Sequence, residues 1–233
     1  MAIAEKRLRQ PTKAGIVTSA AQVRDMLRIS PDVTYPFLEW VASPEGGFDL
    51  RNENRSVGSG DGHTTGSFGA NIPTGSEGAV ALSWNYKLGE FEQTARNLIW
   101  QTQFPGHGSP AFAISTEQKT DEWSAVTRDG SDLDRDILGK ILWGHRTFFV
   151  VQFKIAEKPN GFFKIWMAYD KWPDFTKSPT VQRLQMDSSQ GDKAQMTYGM
   201  YALHSKPGKY QGFGRHFAIA ATPQRAIELA MMG

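Results

Sequence analysis

Gln101 and Gln103 are the first candidate binding side chains, because they lie two residues apart in a segment rich in strand-forming residues. Side chains two apart on a β-strand point to the same face of the sheet, so both amides are expected on one surface. A carboxamide donates and accepts hydrogen bonds but does not exchange protons at ordinary pH. This pair is therefore suited to holding a polar ligand rather than to acid–base catalysis.

His107 is a candidate base beside these amides, since it follows Gln103 by four residues in a loop and lies between two glycines. It can swing over the face that carries the amides and accept a proton. The alternative is an exposed loop histidine without a chemical role. The chain has no cysteine, and its histidines show no pair at metal-ligand spacing, so no metal, cofactor or disulfide is expected.

Three cationic side chains share one segment and are candidates to bind a carboxylate or a sulfate: Arg146, Lys154 and Lys164. The alternative is a solvated outer face, where exposed charges contribute little to stability. A glycine-rich stretch at residues 58–66 resembles a phosphate-binding loop, but it lacks the Lys-Ser/Thr ending and a following helix. We therefore interpret it as a mobile loop or an edge-strand crossover within the polar residues 43–78.

A β-hairpin at residues 143–166 sets the predicted fold class. Apolar residues recur at period two on both sides of a Pro-Asn-Gly turn, at Phe149, Val151 and Phe153 and then at Phe163, Ile165 and Met167. Further strands are predicted at residues 79–88, 97–104, 111–116, 196–203 and 213–221, each bounded by Gly, Pro or charge. Residues 127–140 are acidic and are expected to form an irregular turn or a short helix.

Helices are expected at both ends of this chain. Residues 18–29 form a short amphipathic pattern that Pro31 ends, and Thr222-Pro223 begins a helix over residues 224–231. The predicted fold is all-β: a two-sheet antiparallel jelly roll, a concanavalin-like sandwich, with short N- and C-terminal helices. The predicted domains are residues 1–34, a polar arm with the first helix, and residues 35–233, the jelly roll.

Composition and charge limit the classes of binding partner that we expect for this protein. The 26 basic and 24 acidic residues give a formal net charge of +2, and no basic run is long enough to favour nucleic acid. No segment reaches the roughly 18 apolar residues that a membrane helix needs, and the N-terminus has no apolar signal core. We therefore expect a cytoplasmic or particle-associated protein, unless a signal has been removed.

The order of these patterns resembles that of the jelly-roll polysaccharide lyases, in particular the heparin-lyase-like group and the glucuronan- and alginate-lyase-like group. The similar segments are residues 98–103, 109–114, 143–166 and 198–201, and the likeness covers roughly residues 79–231. The resemblance implies that a glycan binds across the concave sheet. In active members the glycan is cleaved by β-elimination.

The resemblance also implies roles for single residues. In these lyases an amide or Arg neutralises the uronate carboxylate, a His or Tyr removes the neighbouring proton, and a Tyr protonates the leaving oxygen. Gln101 corresponds to the neutralising amide and Tyr201 to the catalytic tyrosine, with His107 as a further candidate base. The chain departs from the family where Gln103 replaces a histidine and Thr197 replaces a frequent lysine.

This departure favours glycan binding over cleavage. We expect a carbohydrate-binding protein that engages an acidic polysaccharide, with an active lyase as the alternative. Trp166 and Trp172 are expected to be exposed and to stack on sugar rings, whereas Trp84 and Trp143 are expected in the core. The expected substrate-binding side chains are therefore Gln103, Arg146, Lys154, Trp166 and Trp172. Such a protein also fits a surface or virion component that assembles into a particle through its N-terminal arm.

Overall fold

The fold is an antiparallel β-sandwich with one C-terminal helix. A computed structural model describes residues 3–17, 28–29, 38–56, 63–86, 96–107, 110–117, 120–203 and 208–232. The strands are β1 Lys6–Arg7, β2 Gly15–Ile16, β3 Arg28–Ile29, β4 Leu38–Ala42, β5 Phe48–Ser56, β6 His63–Pro73, β7 Glu77–Asn85, β8 Arg96–Gln103, β9 Phe112–Thr116, β10 Glu122–Asp129, β11 Asp132–Lys140, β12 Thr147–Lys154, β13 Gly161–Tyr169, β14 Val181–Met186, β15 Lys193–Leu203 and β16 Gly208–Ala220. The helix is α1 Pro223–Met231.

The strands form two sheets, which we call sheet A and sheet B. Sheet A has the order β14-β13-β12-β7-β16-β5-β4-β2, with β1 paired to β16. Sheet B has the order β11-β10-β9-β8-β15-β6-β3, so β8 is its central strand. Many neighbours in space are distant in sequence, as expected of a jelly roll. The all-β, two-sheet prediction is confirmed.

The hairpin β12–β13 has the register that its alternation predicts. Phe149 lies opposite Met167, Val151 opposite Ile165, and Phe153 opposite Phe163. Apolar residues that face each other on one side of a strand pair contact each other directly, and this contact stabilises the pairing. The hairpin prediction is confirmed.

The main core lies between the inner faces of the two sheets and is rich in aromatic rings. Tyr198 of sheet B stacks on Phe217 of sheet A with ring centroids 4.5 Å apart. Trp123 of sheet B meets Phe149 of sheet A edge-on at 5.1 Å. Such pairs add to the free energy of burial, so the rings hold the sheets face to face. Trp84 is fully buried here, as predicted.

Helix α1 covers the outer face of sheet A. Thr222 caps the helix by accepting a hydrogen bond from the Arg225 amide, and proline occupies the first turn, as the sequence predicts. The buried face of α1 includes Ala226 and Leu229 and packs on small residues of sheet A such as Ala81. This second apolar layer covers the middle of the outer face of sheet A, on β7, β12 and β16.

The N-terminal residues 3–17 contribute two short strands to sheet A. Strand β1 pairs with β16 and β2 pairs with β4. Ile3, Leu8 and Val17 are buried in the main core. The predicted N-terminal helix falls outside the described residues except at Arg28 and Ile29, which form a strand rather than the end of a helix.

Two segments differ from the sequence prediction. Residues 127–140 lie in the hairpin β10–β11, because Arg183 of β14 binds the carboxylates of Asp134 and Asp136 and so neutralises an acidic strand. Residues 43–78 contain β5 and β6, and residues 63–66 of the glycine-rich stretch belong to β6, whereas residues 58–62 lie outside the described residues. Pairing of β6 with its neighbour β15 overrides the low strand propensity of its Gly and Asn residues.

Candidate functional site

The outer face of sheet B, the side turned away from the main core, carries the candidate site. On β9, Phe112 and Ile114 belong to the main core, whereas Ala113 packs with Leu98 and Val126 on the opposite side. Residues that lie opposite each other on adjacent strands share a face, so the register extends this assignment across the sheet. Gln101 pairs with Ala113 and therefore lies on the outer face.

A row of residues crosses sheet B through Gln101. Its members lie opposite one another on six neighbouring strands, from Gly69 through Thr197, Gln101, Ala113 and Val126 to Arg135. We call this set the Gln101 row. Gln101 is 8% exposed and lies at the base of the face, whereas Arg135 at the sheet edge is exposed. Strands are spaced about 4.8 Å apart, so Gln101 and Arg135 are roughly 14 Å apart across the sheet.

Gln103 lies two residues further along β8 and is half-buried. Its Nε2 donates a hydrogen bond to the His107 carbonyl oxygen at 2.8 Å. The His107 amide in turn donates to the Phe104 carbonyl at 3.1 Å, which closes the turn after β8. Gln103 therefore holds this turn in place, and the exposed side chain of His107 lies at the end of the strand that carries both amides.

Tyr201 lies on β15, the strand next to β8, opposite Leu98. Leu98 precedes Gln101 by three residues, which is roughly 10 Å along a strand. The register shifts between Tyr198 and Tyr201, so a bulge separates position 201 from the Gln101 row. The fold thus brings positions 101, 103 and 201 onto two adjacent strands.

A charged cluster adjoins the Gln101 row on the same face. Glu117 Oε2 accepts a hydrogen bond from Arg96 Nη2 at 2.9 Å, and its Oε1 accepts from Ser124 Oγ at 2.6 Å. Burial of Glu117 raises its pKa, but the hydrogen bonds from Ser124 and Arg96 outweigh this effect and hold the pKa below its usual value. Glu117 is therefore ionised at neutral pH, with both carboxylate oxygens bonded.

Comparisons with known proteins identify the fold of this chain. No protein-family model matches it, and no curated protein matches it by sequence. The solved endo-β-1,4-glucuronan lyase of the fungus Trichoderma reesei superposes with a TM-score of 0.63 at 16% identity, covering 91% of this chain and 95% of that chain. The chain has a polysaccharide-lyase fold.

Two further structures support this polysaccharide-lyase fold. The PL-14 alginate lyase of Aplysia kurodai matches with a TM-score of 0.55 at 10% identity, and the match covers 95% of this chain and 100% of that chain. An alginate lyase of Pseudomonas aeruginosa matches with a TM-score of 0.51 at 10% identity, covering 78% of this chain and 86% of that chain. The sequence resemblance to jelly-roll lyases is thus confirmed at the level of fold.

Arg146 lies far from the Gln101 row in this polysaccharide-lyase fold. It precedes β12 of sheet A and is 1% exposed. Its Nε donates to Glu45 Oε2 at 2.9 Å, its Nη2 to Asp49 Oδ1 at 2.7 Å, and its Nη1 to the Phe213 carbonyl. The guanidinium is already occupied by these groups, so the expected role of Arg146 in reading a ligand carboxylate does not fit its position.

Three further expected ligand contacts lie in sheet A or in the layer that packs on it: Lys154, Trp166 and Trp172. Lys154 lies at the end of β12, opposite Glu77 and Phe162. Trp166 is 7% exposed in the layer under α1, and its Nε1 donates to the Lys177 carbonyl at 2.8 Å. Trp172 packs against the same layer. The expected exposure of Trp166 is wrong, because α1 and residues 170–180 cover the outer face of sheet A.

The half-buried His216 pairs with the buried Ser83 on the outer face of sheet A. Its Nδ1 lies 2.8 Å from Ser83 Oγ, and its ring packs against Phe148 and Trp172. Burial, followed by the charges of Arg146 and Arg215, lowers the pKa of His216 to about 3. The imidazole is therefore neutral at ordinary pH and has a packing role.

Within the described residues, no group of three His, Cys, Asp or Glu side chains could hold a metal ion. In the same part of the chain, no helix is both long and apolar enough to cross a bilayer.

Sequence analysis missed three residues of the site region: Arg96, Glu117 and Arg135. For Arg135 the missed signal is the alternation in β11, where Leu133, Arg135 and Ile137 each follow an aspartate and take every second position. Alternation of this kind predicts a strand with two chemically different faces.

Proposed function

We propose that this protein binds an acidic polysaccharide across the outer face of sheet B. In this proposal, the outer face of sheet B takes the place of the concave face that the family resemblance implies. The fold likeness supports the proposal, because the similar solved structures are a glucuronan lyase and alginate lyases. Helix α1 covers the middle of the outer face of sheet A, which leaves sheet B as the better candidate surface.

The observation that carries the proposal is the position of Gln101. It lies on the central strand of sheet B, on the face opposite the core, with the half-buried Thr197 beside it on β15. An amide can donate to one sugar oxygen and accept from another hydroxyl. A central position allows a sugar chain to extend across strands on both sides of it.

Binding is favoured over cleavage because of Gln103. The lyase resemblance expects a proton-transferring histidine there, and an amide cannot replace it in acid–base catalysis. The Nε2 of Gln103 is also bonded to the His107 carbonyl, so this side chain stabilises the loop. The proposed role of Gln103 is therefore to shape the face and to offer its oxygen to the ligand.

Replacing Gln101 with alanine is expected to weaken the binding of a uronate oligosaccharide about tenfold, since one or two hydrogen bonds are lost. Isothermal titration with glucuronate and alginate oligosaccharides measures the dissociation constant. The matched control is Gln182→Ala, which removes an exposed amide from β14 of sheet A. Equal affinities of wild type and Gln101→Ala would contradict the proposed site, and no binding by wild type would contradict the function.

A second candidate function, cleavage by β-elimination, is favoured by the register of Tyr201 on the strand beside β8. A tyrosine there can supply the proton for the leaving oxygen, and either it or His107 can remove the proton next to the carboxylate. Gln101 would neutralise that carboxylate. This candidate needs the same face and the same class of ligand as the binding function.

If the protein is a lyase, Tyr201→Phe is expected to reduce the rate at least about a hundredfold, because general acid–base catalysis contributes that much or more. The ultraviolet absorbance of the unsaturated uronate product measures the rate. His107→Ala serves as the companion variant and shows which group is the base. Absence of product from wild type across glucuronan, alginate and heparin, together with measurable binding, would leave binding as the function.

A further inference from the structure

Arg135 has an unusual environment for a residue of an acidic strand. Asp134 and Asp136, its neighbours in sequence, point to the other side of β11, where Arg183 binds both of them. Arg135 lies opposite Val126 and so shares the outer face of sheet B with Gln101. The alternation of the strand thus separates the carboxylates from the guanidinium.

The charged groups that act electrostatically on Arg135 leave an excess of positive charge around it. Arg96 and Glu117 form the ion pair described above, and both act electrostatically on Arg135. Among the residues that the structure describes, Arg135 makes no hydrogen bond and no ion pair within 4.0 Å. Two guanidinium groups therefore face one carboxylate, and the latter is fully bonded to Arg96 and Ser124.

The neighbours of Arg135 on its own strand add apolar surface. Leu133 is 37% exposed and Ile137 is 51% exposed, and both lie on the same side of β11 as Arg135. Exposed aliphatic side chains on either side of a cation match a sugar ring that has an apolar C–H face and an anionic substituent. A guanidinium binds a carboxylate through two parallel hydrogen bonds.

We propose that Arg135 is a specificity-determining residue that binds a carboxylate of the polysaccharide about three strands away from Gln101, with Leu133 and Ile137 contacting the same sugar unit. This inference rests on the proposed function, because it requires the ligand to cross the strands along the Gln101 row. Between the two ends of this path, Ala113 and Val126 have side chains shorter than those of Gln101 and Arg135. The sugar chain therefore passes above them, held at its ends by the longer polar groups.

The test compares one oligosaccharide in two charge states. The probes are an oligoglucuronate and the same oligosaccharide after chemical reduction of its carboxyl groups to neutral hydroxymethyl groups. Arg135→Gln is expected to weaken oligoglucuronate binding about tenfold and to change binding of the reduced form less than about twofold, because only the former loses a charge-assisted contact. Arg135→Lys retains the charge and is expected to lose less affinity.

Lys171→Gln is the matched control, since it removes one exposed positive charge after β13 of sheet A. Thermal unfolding of each variant verifies that the fold is intact. If Arg135→Gln leaves the ratio of the two dissociation constants at the wild-type value, the inference is overturned while polysaccharide binding stands. If wild type binds neither probe, the proposed function fails and the inference fails with it.

Discussion

Replacing Arg146 with methionine is expected to lower the free energy of unfolding by about 3–5 kcal/mol, because it leaves a buried carboxylate without its partner. Asp49 is 3% exposed, and its Oδ1 accepts from Arg146 Nη2 at 2.7 Å. The same guanidinium binds Glu45 in the turn before β5 and the Phe213 carbonyl on β16. Arg146 therefore joins the start of β12 to β5 and β16, which are not neighbours of β12 in sheet A.

Urea denaturation followed by tryptophan fluorescence measures this loss. The double variant Arg146→Met with Asp49→Asn is expected to cost less than the sum of the two single changes, because it removes both buried charges. A loss below about 1 kcal/mol for Arg146→Met would contradict the structural role, since that is the range of an exposed ion pair. Ligand affinity of the folded variant is expected to stay at the wild-type value, because Arg146 lies away from sheet B.

Trp84→Ala is expected to cost about 3–5 kcal/mol of unfolding free energy, the range for removal of a large core aromatic. Trp84 is fully buried and meets Tyr198 edge-on with ring centroids 5.6 Å apart. Two glycines of β16 make room for the indole: a Cβ atom on Gly212 would come within 2.5 Å of the ring, and one on Gly214 within 3.1 Å. Removal of the ring leaves a cavity that these short residues cannot fill.

The comparison variant for this prediction is Trp172→Ala, which removes a half-buried indole from the layer under α1. It is expected to cost less, because solvent already reaches part of that ring. Equal losses for the two variants, measured by the same urea denaturation, would show that the central core does not depend on Trp84 more than the outer layer depends on Trp172.

Local patterns predicted the fold class because, in the clearest segments, several independent sequence signals favour the same structure. In β12 and β13, alternation, strand propensity and turn residues all favour one hairpin, and the register follows from the alternation. The start of α1 at Thr222-Pro223 follows from cap chemistry. The hairpin β10–β11 was missed although β11 alternates, because its aspartates have low strand propensity and Arg183 of β14, which binds two of them, is distant in sequence.

Part of the candidate site was also predictable from local spacing. A spacing of two residues places Gln101 and Gln103 on one face of a strand, whatever surrounds that strand. The ligand roles expected of Arg146 and Trp166 do not fit the structure, because alternation separates two faces but does not show which face is covered. Helix α1 covers Trp166, and the carboxylates of Glu45 and Asp49 bind Arg146. These groups are distant in sequence from the residues that they cover or bind.

The sequence by itself determined the strongest strands, β7, β8, β9, β12, β13, β15 and β16, together with the hairpin register and the pairing of two amides on β8. Each of these depends on residues close together in the chain. Only the tertiary structure decided that Arg135 joins the Gln101 row and that Arg146 is a buried structural cation. Both outcomes depend on the order of strands in the sheets, which is set by burial of the common core. Contacts across that core link residues far apart in the chain, so short-range patterns do not specify them.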